Sequence, residues 1–179
     1  MADAVKPPSA LAKLHRELGI PVDYAEKRGL AFQPDAQTDD LVIVATKPDG
    51  TPVRLISATA RAWHAMQTAA QADNITLCAI SGHRSIARQA EIIRQKRASG
   101  QPIDRILSVM AAPGYSEHHT GRAVDIATPE YQELEEEFAE SPAFAWLQQN
   151  AVRFGFRLSY PQNNPAGFIY EPWHWFWVG

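Results

Sequence analysis

Two segments about fifty residues apart, in a chain of 179, carry side chains of the kind that bind metal ions. The first is Ser116-Glu117-His118-His119-Thr120-Gly121-Arg122-Ala123-Val124-Asp125, and the second is Glu171-Pro172-Trp173-His174. A fold that uses both must return the end of the chain to the side of its middle. Together they offer imidazoles and a carboxylate for a metal, plus a spare carboxylate. A catalytic zinc takes three such ligands and leaves a position for water, while a nearby unligated Glu accepts the water's proton. The combination is that of a zinc hydrolase.

The residues around each cluster say how it is presented. Ala123-Val124-Asp125-Ile126-Ala127 reads as a strand, so Val124 and Ile126 point to one face and Ala123, Asp125 and Ala127 to the other. The carboxylate face is lined by small residues and has room for a metal and a substrate, while the opposite face suits core burial. Gly121 permits a tight approach that returns His118 toward Asp125. In the second cluster, Pro172 cannot donate to a β ladder, which predicts an edge or bulged segment where Glu171 and His174 face one site despite their odd spacing. Trp175, Phe176 and Trp177 then anchor the segment by aromatic burial.

With 45% hydrophobic and 21% charged residues, the chain fits one compact domain, or a domain with a short N-terminal extension. A net charge of −3 and scattered basic residues argue against nucleic-acid binding, which needs a cationic surface. The single cysteine, Cys78, excludes an intramolecular disulfide, and its apolar neighbours suggest a buried strand residue. No window approaches the length of a membrane span, and the first residues lack the apolar run of a secretory signal. The expected location is cytoplasmic, or periplasmic if a leader has been trimmed from the sequence.

Residues 1–40 combine a short helix over Ser9–Leu18 with turn-rich sequence and read as an extension or cover over a domain spanning 41–179. Leu41–Ala45 and Pro52–Ile56 read as a hairpin around Lys47-Pro48-Asp49-Gly50-Thr51. Ser57 or Thr59 is a candidate cap for a helix to Ala72, and Ile75–Ile80 reads as a buried strand. Ser85 caps a helix to Ser99, which places Arg84 at a strand-to-helix corner. Further helices are expected over Ile103–Met110, Pro129–Glu140, which is acidic, and Pro142–Phe154. Strands are expected over Phe156–Tyr160 and Ile169–Val178. Irregular alternation and hairpin signals favour an α+β fold with a mainly antiparallel sheet flanked by helices. His15 and His64 have no partner motif and read as helix-face or surface residues, and Glu133, Glu135, Glu136 and Glu137 as a solvated helix face.

The order Ser81-Gly82-His83-Arg84-Ser85, then Ser116-x-His118-x-x-Gly121-x-Ala123-x-Asp125, then Glu171-x-Trp173-His174, closely resembles the VanY-type D-alanyl-D-alanine carboxypeptidases. These belong to a wider group of zinc peptidases that includes lysostaphin-type endopeptidases and the hedgehog signalling domain. The resemblance runs from about residue 41 to the last residue and implies a single hedgehog/D-Ala-D-Ala peptidase-like domain. Carried over by position, it makes His118, Asp125 and His174 the ligands of one zinc ion per chain and Glu171 the catalytic base. It also implies Arg84 as the oxyanion partner, and Gln89 and Ser116 as binders of the substrate's terminal carboxylate. His119 is an alternative to His118 as ligand, although the register to Gly121 and Asp125 matches His118. The chain departs from the family in two places: His83 stands where a Tyr is usual, and Phe176 where a basic residue is common.

The activity so implied is removal of a terminal D-alanine from peptidoglycan stem peptides or muropeptides. The family holds both D,D- and L,D-carboxypeptidases, and the motifs do not separate them. A cytoplasmic location leans toward L,D activity on recycled tetrapeptides. Two other readings stay open. One is an endopeptidase cutting L-alanyl-D-glutamate bonds, and the other is a non-catalytic, zinc-stabilised binding module of the hedgehog kind.

Overall fold

A computed structural model describes residues 8–131 and 133–179. Residues 1–7 of the expected extension and Gln132 in the expected acidic helix lie outside the described residues. The chain opens with α1 (Ser9–Leu18), which ends at Gly19 in the left-handed region, and a single turn, α2 (Tyr24–Lys27). Strands β1 (Leu41–Thr46) and β2 (Pro52–Ile56) form the expected antiparallel hairpin, with a one-residue register shift between Ile43 and Ala45. Helix α3 (Ser57–Ala72) follows directly. The main sheet starts with β3 (Cys78–Ser81) and is followed by α4 (Ile86–Ala98) and α5 (Ile103–Val109). A 3-10 turn over Glu117–Thr120 leads into β4 (Ala123–Ala127). Then come α6 (Pro142–Asn150), β5 (Phe156–Leu158) and β6 (His174–Trp177).

The main sheet runs β3-β4-β6-β5 with every neighbouring pair antiparallel, so the fold is mixed helix and antiparallel sheet as expected. The alternation along β4 decides where its two faces go. Val124 and Ile126 enter a core with Leu55, Trp63, Leu147 and Trp175, whose burial supplies on the order of 2 kcal/mol per large side chain. A second apolar cluster ties Leu18, Ile20 and Tyr24 to Ile93, Ile106 and Leu107 on α4 and α5. Backbone bonds Gln33 N to Gly114 O and Ala36 N to His119 O, both 2.7 Å, run the segment before β1 alongside the 3-10 turn that carries the histidines. No helix among the described residues is long and apolar enough to cross a membrane.

Several local expectations are corrected. Among the described residues of 129–140 there is no acidic helix: Glu136–Glu140 make a 3-10 turn, and Glu130 and Leu134 sit at positive φ. With Phe138 the one buried side chain of that turn, the stretch has too little apolar face to hold a helix against the core. The glutamates at 133 and 135–137 are nevertheless exposed, as a solvated run should be. Cys78 is exposed rather than buried, because it opens an edge strand that covers less than the expected Ile75–Ile80. Neither Ser57 nor Thr59 caps α3: the Ser57 hydroxyl donates to Asp40 O, and Thr59 Oγ1 is buried with no partner among the described residues. The helix from Pro142 breaks into a 3-10 turn at Ala151, and the Phe156 strand stops at Leu158. The last strand begins at His174, not Ile169, for a reason that shapes the site.

Candidate metal centre

Strand register puts the two sequence clusters side by side. Asp125 on β4 is the direct cross-strand partner of His174 on β6, and Ser81 on β3 flanks Asp125 from the other side. Side chains of such partners start about 5 Å apart, within reach of a shared ion. Gly121, at φ +65, closes the 3-10 turn that swings His118 over β4; a Cβ there would lie 2.9 Å from Ile56 Cγ2. Glu171 and His174 are the ends of a β-turn, His174 N donating to Glu171 O at 3.1 Å, with Pro172 at the second position that suits its fixed φ. A turn, rather than an edge or bulged strand, therefore resolves their odd spacing. Trp175 Nε1 donates to Pro172 O at 3.0 Å and braces that turn from behind.

His118, Asp125 and His174 are buried, and one candidate ligand atom from each lies within 4.8 Å of the others. His118 Nε2 is 3.3 Å from Asp125 Oδ2, and His174 Nδ1 is 3.0 Å from Asp125 Oδ1. Each imidazole is held from behind by its other nitrogen. His118 Nδ1 donates to Gly82 O at 2.7 Å, and His174 Nε2 lies 2.9 Å from Glu117 Oε2. That backing leaves His118 Nε2 and His174 Nδ1 as the nitrogens turned toward Asp125, the donor set and orientation that suit a divalent ion such as zinc.

Electrostatics agree with this geometry. Burial alone would raise the Asp125 carboxyl, but the two imidazoles outweigh it and hold it well below the usual carboxylate range. Burial lowers His118, only partly offset by Asp125. Burial also opposes charge on His174, yet hydrogen bonds to Asp125 and Glu117 overcome it and raise that ring to about 10. Glu171 goes the other way: burial pushes it up to about 7 against the attraction of His174 and Arg84, with repulsion from Asp125 and Glu117 adding to the rise. Its Oε2 lies 3.9 Å from His174 Nδ1. A carboxyl poised near neutrality beside a ligand cluster is suited to taking up and returning a proton.

These groups open into one cavity of about 380 Å³, whose walls include Arg84, Ser116, Glu171 and Tyr160. Arg84 is half-buried at the β3-to-α4 corner, fixed by its own N–H to His118 O at 3.1 Å and by Ser85, whose hydroxyl caps α4. Its Nε has no partner among the described residues, so donor capacity remains. Ser116 is buried in the wall. Gln89, expected to bind the terminal carboxylate, is instead fully buried behind the lining of this cavity, its Nε2 donating to Ala111 O at 2.6 Å and its Oε1 unpartnered among the described residues. His119 points elsewhere: its Nδ1 donates to Arg84 O at 2.6 Å and its Nε2 accepts from Gly114 N at 3.0 Å. Burial lowers it to about 4, consistent with a neutral ring that bridges two loops.

At the two family departures, His83 sits 3.9 Å from Asp35, and Phe176 has the guanidiniums of Arg122 and Arg157 stacked on it at 5.2 and 5.1 Å. His15 is a half-buried helix-face residue whose Nε2 lies 2.8 Å from Pro113 O, and His64 is exposed. Two residues of the site carry no motif signal of their own. Tyr160 packs against His174 at a tilt, with ring centroids 4.8 Å apart, and Glu117 contacts His174 directly. Glu117 sits next to His118 in sequence, but only the long-range return of β6 reveals what it touches.

Comparison with known proteins gives the family. Residues 52–179 match the family described as VanY, D-alanyl-D-alanine carboxypeptidase. YodJ of Bacillus subtilis is 38% identical over 117 residues, 64% of this chain and 42% of that protein. The chain spans about two fifths of the length of the first curated relatives it matches. Among solved structures, the LdcB LD-carboxypeptidase is 33% identical with a TM-score of 0.70, over 80% of this chain and 70% of that one. A variant of a vancomycin-resistance D,D-pentapeptidase VanY in complex with Zn(II) is 29% identical with a TM-score of 0.60, over 82% of this chain and 84% of that one.

Proposed function

The chain belongs to the D-alanyl-D-alanine carboxypeptidase family, and from that premise we propose that it is a zinc peptidase releasing the terminal D-alanine of peptidoglycan stem peptides. His118, Asp125 and His174 would hold the zinc as one ion per chain. The observation that carries this reading is the convergence of Glu171 and Arg84 on that cluster within one cavity. A bound zinc ion supplies Lewis acidity, bringing a water's pKa toward neutrality and polarising the scissile carbonyl.

The protein's own groups do the rest. Glu171, raised to about 7, takes the proton of the attacking water and returns it to the amine of the departing D-alanine. Arg84 presents its guanidinium to the carbonyl oxygen as negative charge develops there. The Ser116 hydroxyl in the wall receives the terminal carboxylate, and Gln89 braces the wall through Ala111 O. A binding module without turnover has no use for a base and an oxyanion partner so placed.

Of the two bond preferences we take the L,D reading, which the likeness to LdcB supports. Zinc-loaded protein incubated with tetrapeptide and pentapeptide muropeptides, with free D-alanine quantified, is the test. Faster release from the tetrapeptide is expected. Preference for the pentapeptide overturns the L,D assignment alone, and release from neither overturns the carboxypeptidase reading.

A further inference from the structure

Glu117 is the carboxylate of this region that the proposed chemistry leaves unused, and its contacts are more specific than a surface ion pair requires. Its residue is only 9% exposed. Its two oxygens are divided: Oε1 accepts from Arg157 Nη2 at 2.7 Å, whereas Oε2 accepts from the Ser159 hydroxyl and meets His174 Nε2 at 2.9 Å. Arg157 lies on β5 and Ser159 one residue past its end, so the strand that borders β6 clamps the carboxylate against the back of the His174 ring. Arg157 and Ser159 thereby set which Glu117 oxygen faces the imidazole.

Resting on the metal-site reading above, we propose that Glu117 is a positioning residue for the ion. It accepts the His174 Nε2 proton, directs Nδ1 toward Asp125 and His118, and makes the ring a stronger donor. A carboxylate behind a ligating imidazole fixes its tautomer and orientation and raises its basicity, and loss of such a partner typically weakens metal affinity about 10- to 100-fold. Arg157 and Ser159 act one step further out, by orienting Glu117.

The test is zinc affinity, measured by competition with a chromophoric chelator for wild type, Glu117→Ala, Glu117→Gln and Ser159→Ala. The visible spectrum of each cobalt-substituted protein and the unfolding midpoint of each metal-free protein are recorded alongside. Expected are a loss of about 10- to 100-fold in Glu117→Ala, partial recovery in Glu117→Gln, whose carbonyl still accepts from Nε2, and a smaller loss in Ser159→Ala. The cobalt spectrum shifts in Glu117→Ala and returns toward wild type in Glu117→Gln. If Glu117→Ala does not fold, the Glu117→Gln and Ser159→Ala proteins carry the test by the same two readouts. Wild type that binds zinc, with every variant that folds binding it equally well, overturns the role of Glu117 alone. Wild type that takes up no zinc overturns the metal-site reading and this inference with it.

Discussion

The two histidines that face Asp125 are held from behind in different ways. His118, on the 3-10 turn before β4, leans on a backbone carbonyl, Gly82 O, whereas His174, at the start of β6, leans on the Glu117 carboxylate. The first backing is neutral and built into the chain's path, and the ring it holds is lowered by burial. The second is charged and assembled from three side chains, and the ring it holds is raised to about 10 by Asp125 in front of it and, after that, by Glu117 behind it. The same donor chemistry can thus be positioned by main-chain geometry on one side and by electrostatics on the other. The carbonyl supplies direction, and the carboxylate supplies direction and charge.

Variants can separate these contributions. The largest effect is expected where both histidines meet: Asp125→Ala removes the carboxylate shared by both rings, so zinc uptake and D-alanine release should both vanish. Metal analysis of the folded variant checks this, and retained stoichiometric zinc would show that the imidazoles suffice. Next comes Glu171→Ala, which touches neither backing. Turnover should fall about 10²- to 10⁴-fold with zinc content unchanged, measured as kcat for D-alanine release beside metal content.

Gly82→Ala attacks the neutral backing, because a Cβ there would run into the Arg54 carbonyl. Moving that strand end should cost roughly 1–3 kcal/mol in denaturant unfolding and shift the His118 support. Unchanged stability would mean that the β2–β3 contact yields freely. The smallest effect is expected at Cys78→Ser on the exposed edge strand, within about 0.5 kcal/mol and with no change in turnover.

Much of the local structure was legible in the chain. The helix Ser9–Leu18 and the hairpin around Gly50 follow from short-range periodicity and turn chemistry, and both form with the expected bounds or within a residue of them. Strand β4 shows why Asp125 could be placed early, since strict alternation assigns Asp125 and Val124 to opposite faces before any partner strand is known. The region 129–140 shows the opposite. Helix-compatible composition was not enough, because a helix this short needs a packed apolar face and here Phe138 is the one buried side chain of the turn that does form. Cys78 misled for a related reason: apolar neighbours signal burial only if the strand has cover on both sides, and an edge position removes it.

The site divides along the same line. Residue types and short spacings determined the ligand candidates, the spare carboxylate and the glycine that lets His118 turn back, because each depends on chemistry and backbone freedom within a few residues. Only the tertiary structure decided that Glu171 and His174 are the ends of a turn, that His119 bridges Arg84 and Gly114, and that Glu117 stands behind His174. Those outcomes depend on β6 pairing with β4 on one side and β5 on the other. That pairing is set by burial of Trp175 and its neighbours across the whole core, a sum over distant contacts that no local pattern encodes.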